Sequence, residues 1–194
     1  MSTRAAAAEA TRTALIDAAI ERFAADGLGA SFDAVAREVG VTKGALYHHF
    51  GSKEGLVEAV YREAIRRHAE RIVAASAAGT GRERLLALVD ASARLYSSRT
   101  PFYRVLSMLH LAAALDHPAL AEIARRAQRS QRDFMIDLAR QGQRDGSIDP
   151  GLDAEALGLT VNAALAGFLT QQLEPPAQQR RWVAKFRSLL EDLL

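Results

Sequence analysis

Apolar residues along the chain recur at intervals of three and four, and no stretch between turn signals alternates with period two over a strand's length. The pattern predicts helices from end to end. Ile16, Ile20 and Phe23 mark a first helix that stops at Asp26-Gly27. Val35, Ala36 and Val39 mark a short second helix closed by Gly40, and Leu46 and Phe50 a short third. Ser52 can cap a long fourth helix whose stripe is Val57, Tyr61, Ile65, His68 and Ile72. Thr80 and Glu83 have capping-box spacing ahead of a fifth, where Leu85, Val89, Ser92 and Tyr96 share a face. Pro101 and Pro118 sit where first-turn prolines belong, opening a sixth helix and a seventh with Ile123, Ala127, Phe134 and Leu138 inward. Asp145-Gly146-Ser147 turns the chain. Asp153 caps an eighth helix, Leu152 and Leu157 fit a hydrophobic staple, and Pro175-Pro176 ends it. Trp182, Phe186, Leu189 and Leu193 carry a ninth. The alanine-rich first ten residues are expected to lack fixed structure. The reading is an all-α chain of about nine helices, with a division at the start of the fourth: residues 1–55 and residues 56–194.

Composition narrows the chemistry. The 194 residues include no cysteine, which removes disulfides, thiolate catalysis and cysteine-ligated metal centres together. A hydrophobic content of 49% with 25% charged residues is that of a globular protein with a proper core. No apolar stretch approaches the roughly 18–20 residues of a membrane span, and Leu157 to Leu169 is interrupted by Thr160 and Asn162. The start offers alanines and Glu9 where a signal peptide needs an apolar segment. These features predict a cytoplasmic protein with no membrane partner. The net charge of +2 is too small to indicate nucleic-acid binding, and residues 1–55, with six basic and seven acidic side chains, come to −1.

The functional signal lies in residues 32–50, FDAVAREVGVTKGALYHHF. A helix-turn-helix needs a small residue where its helices touch, a glycine at the turn and an apolar anchor in the second helix. Ala36, Gly40 and Leu46 stand at those places. Gly40 can take positive φ at no steric cost, Val41 can pack under the turn, and Leu46 and Phe50 share one face. That leaves Thr42, Lys43, Gly44, Ala45, Tyr47, His48 and His49 outward or near the helix ends. Lys43 can donate to phosphate or guanine, and Thr42 to phosphate from a helix N-terminus. Gly44 and Ala45 permit close approach to base edges, and a methyl can meet thymine. Ser52 and Lys53 form a second helix start suited to phosphate. No acidic residue lies between Val39 and Lys53, and two of the chain's three lysines fall in this window.

The block VTKGALYHHFGSKEGL, after a first helix ending in Phe23-xx-Asp26-Gly27 and a Ser31-capped second helix, resembles the N-terminal domain of the TetR family of transcriptional regulators over residues 11–60. The resemblance implies dimeric binding to a double-stranded DNA operator through residues 1–50, with a helical ligand-binding and dimerisation domain behind them and repression as the commoner outcome. It places Thr42, Gly44, Ala45, Tyr47, His48 and His49 on the recognition helix. Ser31 falls at the phosphate-contacting start of the second helix and Lys53 at the phosphate contact opening the fourth. His48 stands where the family often carries an aromatic ring, and Ala45, without a polar head, can give only apolar or backbone readout.

The remainder carries no motif of comparable specificity. The eighth helix is apolar on more than one side: Leu157, Val161, Leu165 and Phe168 form one face, and Gly158, Asn162 and Ala166 a small-residue face, with Gly167 beside it. A helix apolar all round must be covered on both sides. The small face would let a partner backbone approach, and the resemblance implies a homodimer through the last two helices. A small-molecule effector is expected among helices four to eight, with His68, Phe102, Tyr103, Leu106, His110, Phe134 and Asn162 as candidate contacts, and Met108 and Met135 nearby. Each has an alternative reading as ordinary core, His68 included. His110 and His117 are seven apart with Pro118 following, and nothing beside them makes a metal set. No cofactor motif and no nucleophile–base constellation is present, so no enzyme is predicted. A helical interaction protein that uses the helix-turn-helix for a protein partner is the alternative; the acid-free window favours DNA.

Overall fold

The structure, a computed structural model, describes residues 3–115, 117–170 and 174–194. Among the described residues it is all helix. α1 (Thr3–Asp26), α2 (Phe32–Val39), α3 (Lys43–Phe50), α4 (Lys53–Ala75) and α5 (Gly81–Ser97) are followed by α6 (Pro101–Leu115), α7 (Pro118–Asp145), α8 (Ala154–Thr170) and α9 (Pro176–Leu193). No described helix is long and apolar enough to cross a membrane.

Local chemistry accounts for the boundaries. Ser31 Oγ accepts from Asp33 N–H, Thr42 Oγ1 from Ala45 N–H, Ser52 Oγ from Gly55 N–H and Asp153 Oδ1 from Glu155 N–H. Thr80 and Glu83 make both bonds of a capping box. Such caps satisfy N–H groups that a helix start leaves without partners. One boundary differs from expectation. α1 begins at Thr3, so the alanine-rich start is helical, with Arg4 to Ala10 exposed. Alanine has the highest helix propensity, and extending a helix already anchored downstream avoids the nucleation cost.

Packing divides the chain into two compact units, one running up to Arg66 and including Thr100–Ile123, the other made of Arg67–Arg99 and Ala124–Leu194. In the first, α1 packs against α2 and α6, and α2 against α3. Its core includes Leu15, Ile16, Phe23, Val35, Leu46, Leu56 and Tyr61, all closed to solvent. The units follow packing rather than the sequence division after residue 55, because α6 lies along α1.

In the second unit α5 packs against α8 and α9. Asp145 caps the start of α5, accepting from Gly81 N–H at 2.8 Å, and Arg187 of α9 pairs with Asp90 of α5 at 2.9 Å. The stripe Leu85, Val89, Ser92 and Tyr96 is buried as its spacing predicts. On α7 the buried residues include Ile123, Met135, Ile136, Leu138 and Ala139, whereas Ala127 and Phe134 are only half-buried. On α8 the small-residue face meets its own chain: a Cβ on Gly158 would lie 2.5 Å from Ile136 Cγ1 and 2.9 Å from Ile136 N. The backbone that approaches Gly158 is therefore that of α7. Gly167 faces open space.

Candidate nucleic-acid interface

The α2–α3 pair is built from its turn outward. Gly40 sits at φ 74°, ψ 26°, a left-handed conformation that costs glycine little. Its N–H reaches Arg37 O at 3.1 Å, and Val41 N–H reaches Ala36 O at 3.0 Å, closing α2 and reversing the chain. Val35 and Ala36 of α2 and Leu46 of α3 are buried at the crossing. α3 buries only Leu46 among its eight residues. Helix-packing thus fixes α3 through one side and leaves the rest of its surface available.

That surface carries the residues named from the sequence. Ser31, Thr42, Lys43, Gly44 and His48 are exposed, and Tyr47 is 45% exposed. Ala45, His49 and Lys53 are half-buried. The structure brings Lys43 to His49 together on α3 behind the Thr42 cap, with Ser31 at the start of α2 and Lys53 at the start of α4. The Ser31 and Thr42 oxygens accept backbone N–H bonds, which leaves each hydroxyl hydrogen able to donate outward. Tyr47 is not a bare surface ring: its edge meets Phe32 with centroids 5.1 Å apart.

Three contacts of this region are invisible to sequence spacing. Lys43 Nζ lies 3.2 Å from Asp33 Oδ1, joining α3 to α2. Arg22 Nε lies 2.7 Å from Glu38 Oε2, joining α1 to α2. Arg12 stands over the Phe50 ring at 5.5 Å, a cation–π contact between α1 and α3. Hydrogen bonds from its own backbone N–H and from Ser52 hold the Glu54 carboxylate below its usual range, so a fixed negative charge directly follows Lys53. The signal that could have found Asp33 is its place in the first turn of α2, where a carboxylate complements the helix dipole. Its reach to Lys43 depends on the fold.

The candidate effector contacts fall into two groups, one in each unit. In the first unit Tyr103 and Leu106 are buried, and Phe102 and Tyr103 stack edge to face at 4.9 Å. His110 is half-buried, with Nδ1 3.2 Å from the Tyr61 hydroxyl. Burial pushes the His110 pKa down and that of Tyr61 up to about 12. In the second unit His68, Phe134 and Asn162 are half-buried. His68 Nε2 lies 3.1 Å from the Tyr96 hydroxyl, and burial, with Arg71 nearby, lowers its pKa to about 4. Sequence spacing placed Tyr61 and Tyr96 on helix stripes without showing that each would meet a histidine.

The second unit also carries two surface grooves lined by other residues. One, of about 340 Å³, lies between α7 and the start of α8, with Arg132, Asp133, Ile136, Arg140 and Glu155. The other, of about 220 Å³, is mostly apolar and runs between α8 and α9 past Leu152, Leu157, Phe186, Leu189 and Leu193. Leu189 is 66% and Leu193 51% exposed at its edge.

The chain is similar to known proteins in sequence and in fold. Residues 15–60 match the profile of the family described as bacterial regulatory proteins, tetR family. The chain is 31% identical over 178 residues to the HTH-type transcriptional regulator SrpR of Pseudomonas putida, covering 90% of this chain and 81% of that protein. It is 24% identical over 193 residues to the HTH-type transcriptional regulator UidR of Escherichia coli K12, covering 96% and 94%. Its fold matches the crystal structure of a TetR transcriptional regulator from Chloroflexus aurantiacus with a TM-score of 0.81 at 24% identity, covering 94% of this chain and 95% of that one.

Proposed function

The chain belongs to the tetR family of bacterial regulatory proteins, and on that footing we propose that it is a cytoplasmic, ligand-responsive repressor that leaves a palindromic operator when a small, largely apolar molecule binds. Residues 1–55 are the DNA-binding part and residues 56–194 the effector-binding and dimerisation part. The observation that carries the reading is α3, which buries Leu46 alone and turns Thr42, Lys43, Gly44, Tyr47 and His48 to solvent. Such a helix can enter a major groove with its N-terminal residues at base edges. Ser31, Thr42, Lys43 and Lys53 then meet phosphates; Gly44, Ala45, Tyr47, His48 and His49 meet bases or the groove walls.

A symmetric operator needs a symmetric protein. The apolar groove between α8 and α9, with Leu189 and Leu193 exposed beside it, supports pairing of two copies through the last two helices. The effector contacts are drawn from His68, Phe102, Tyr103, Leu106, His110, Phe134 and Asn162, a mainly apolar set with few polar handles, as small-molecule sites commonly are. Coupling requires the effector to favour one of two dimer shapes, since equal affinity for both shifts nothing. α4 is the proposed transmitter: it opens at the Lys53 phosphate contact and continues unbroken to Ala75.

Selection of bound sequences from random duplex DNA tests the reading. The expected product is a two-fold symmetric site whose half-sites lie about 34–36 Å apart, or somewhat more in a longer site. Affinity for it should fall with log salt by roughly 0.9 for each phosphate neutralised. Enrichment of no sequence, or of a single unrepeated half-site, would refute the proposal.

A further inference from the structure

We propose that Asp33 is a specificity-determining residue: it holds Lys43 in place on the α2–α3 surface and withholds that cation from DNA docked in any other register. The inference rests on the DNA-binding role proposed above. Lys43 is the one lysine of α3, and its Nζ lies 3.2 and 3.3 Å from the two carboxylate oxygens of Asp33. The side chains of both remain 53% exposed, so the pair is open to an approaching phosphate. Asp33 itself is well held: its N–H donates to Ser31 Oγ at 3.2 Å, and its carbonyl accepts from Arg37 Nε at 3.1 Å. The backbone that carries the carboxylate is thus held in the first turn of α2, and the lysine, on its longer stem, is the more mobile partner.

The consequence follows from charge. Non-operator binding is almost wholly phosphate contact, and the DNA-binding part carries a formal charge of −1 over residues 1–55. A lysine on a long flexible stem would reach phosphates in many registers. Paired with Asp33, it reaches a phosphate in any other register only by leaving a carboxylate that stays behind at the DNA surface. On the operator α3 seats in one register, where Asp33 also orients the ammonium, so the lost charge and the gained orientation offset. On other sequences only the penalty remains. Asp33 acts through Lys43 and is a positioning residue.

The experiment compares wild type, Asp33→Asn, Asp33→Glu, Lys43→Gln and the Asp33→Asn/Lys43→Gln double variant. Each is titrated against a random-sequence 30-base-pair duplex and the selected operator across a range of salt. Asp33→Asn should bind the random duplex roughly two- to fivefold more tightly for each Lys43 engaged, the scale of an exposed ion pair. Its log affinity should fall with log salt more steeply, by up to about one unit per lysine. Operator affinity should change less, so the ratio of operator to random binding drops. Asp33→Glu should behave as wild type, and the gain should vanish in the double variant. Circular dichroism checks that helical content is unchanged; Asp33→Asn keeps the backbone N–H that Ser31 Oγ accepts. Lys43→Gln alone leaves the Asp33 carboxylate unpaired at the DNA surface, so the lysine's own contribution is read from the double variant: it matches wild type in random-duplex affinity and slope if Lys43 is withheld there, and if it falls below wild type in both, the inference fails. Equal random-duplex affinity for wild type and Asp33→Asn, or a gain that survives without Lys43, would also overturn it while leaving the DNA-binding role intact. A wild-type protein that binds no duplex at low salt would overturn that role and the inference with it.

Discussion

His68 makes the stability of this protein depend on pH in a calculable way. Its ring is half-buried beside Tyr96, with centroids 5.5 Å apart, and burial lowers its pKa from 6.5 to about 4. Arg71 adds to the shift. Between those values the unfolded chain binds a proton that the folded protein refuses, so stability rises with pH across the window and is lost as pH falls. At pH 5 the lost stabilisation comes to about 2 kcal/mol, and well below pH 4 it levels off at about 3 kcal/mol. These are upper values, since a half-buried ring keeps some solvation. Against a total of about 5–15 kcal/mol, the effect is large enough to measure. The assay is urea unfolding of wild type and His68→Gln at pH 7.5 and pH 5. His110, whose pKa is also lowered by burial, contributes in the same direction in both proteins, so the difference between them isolates His68. The wild type should lose about 1–2 kcal/mol more than the variant between the two pH values. An equal loss in both would refute the argument and mean that the ring is solvated in the folded state or stays protonated there.

Other substitutions test the packing and the surfaces it leaves. Leu46→Ala should cost the first unit about 2–4 kcal/mol through a cavity, whereas Tyr47→Ala should cost only the Phe32 edge contact, about 0.5–1.5 kcal/mol, and abolish operator binding; thermal melts and a DNA shift assay separate the two. Gly158→Ala should destabilise by about 1–3 kcal/mol, because its methyl would run into Ile136 and α7 cannot yield cheaply. Gly167→Ala, which meets nothing, should be neutral or stabilise by about 0.5–1 kcal/mol by denaturant titration. Leu189→Asp should turn a dimer into a monomer by light scattering with helical content retained; an unchanged mass would place the pairing surface elsewhere than on the α8–α9 groove.

The parts of this fold that were legible in the sequence are those governed by neighbours three or four residues away. The caps at Ser31, Ser52, Thr80 and Asp153 and the stop at Gly40 satisfy backbone groups of their own helix. Leu46 was readable as the α3 anchor because it is the one aliphatic side chain of α3 larger than alanine. The candidate DNA-facing set was legible for the same reason, as what remains once the anchor is placed. Tertiary structure decided which surface covers each face. On α7, Phe134, Met135 and Ile136 are consecutive and apolar, so periodicity could not choose among them; packing turned Met135 and Ile136 inward and left Phe134 at the margin. Gly158 looked open to a second chain, but α7 of the same chain already fills that approach. Lys43 read as a cation for DNA, and only the α2–α3 crossing brings Asp33, ten residues away, to within 3.2 Å of it. Helical spacing fixes the direction of a side chain relative to its own axis. What it meets depends on where other axes run, and that is set by packing summed over the whole chain.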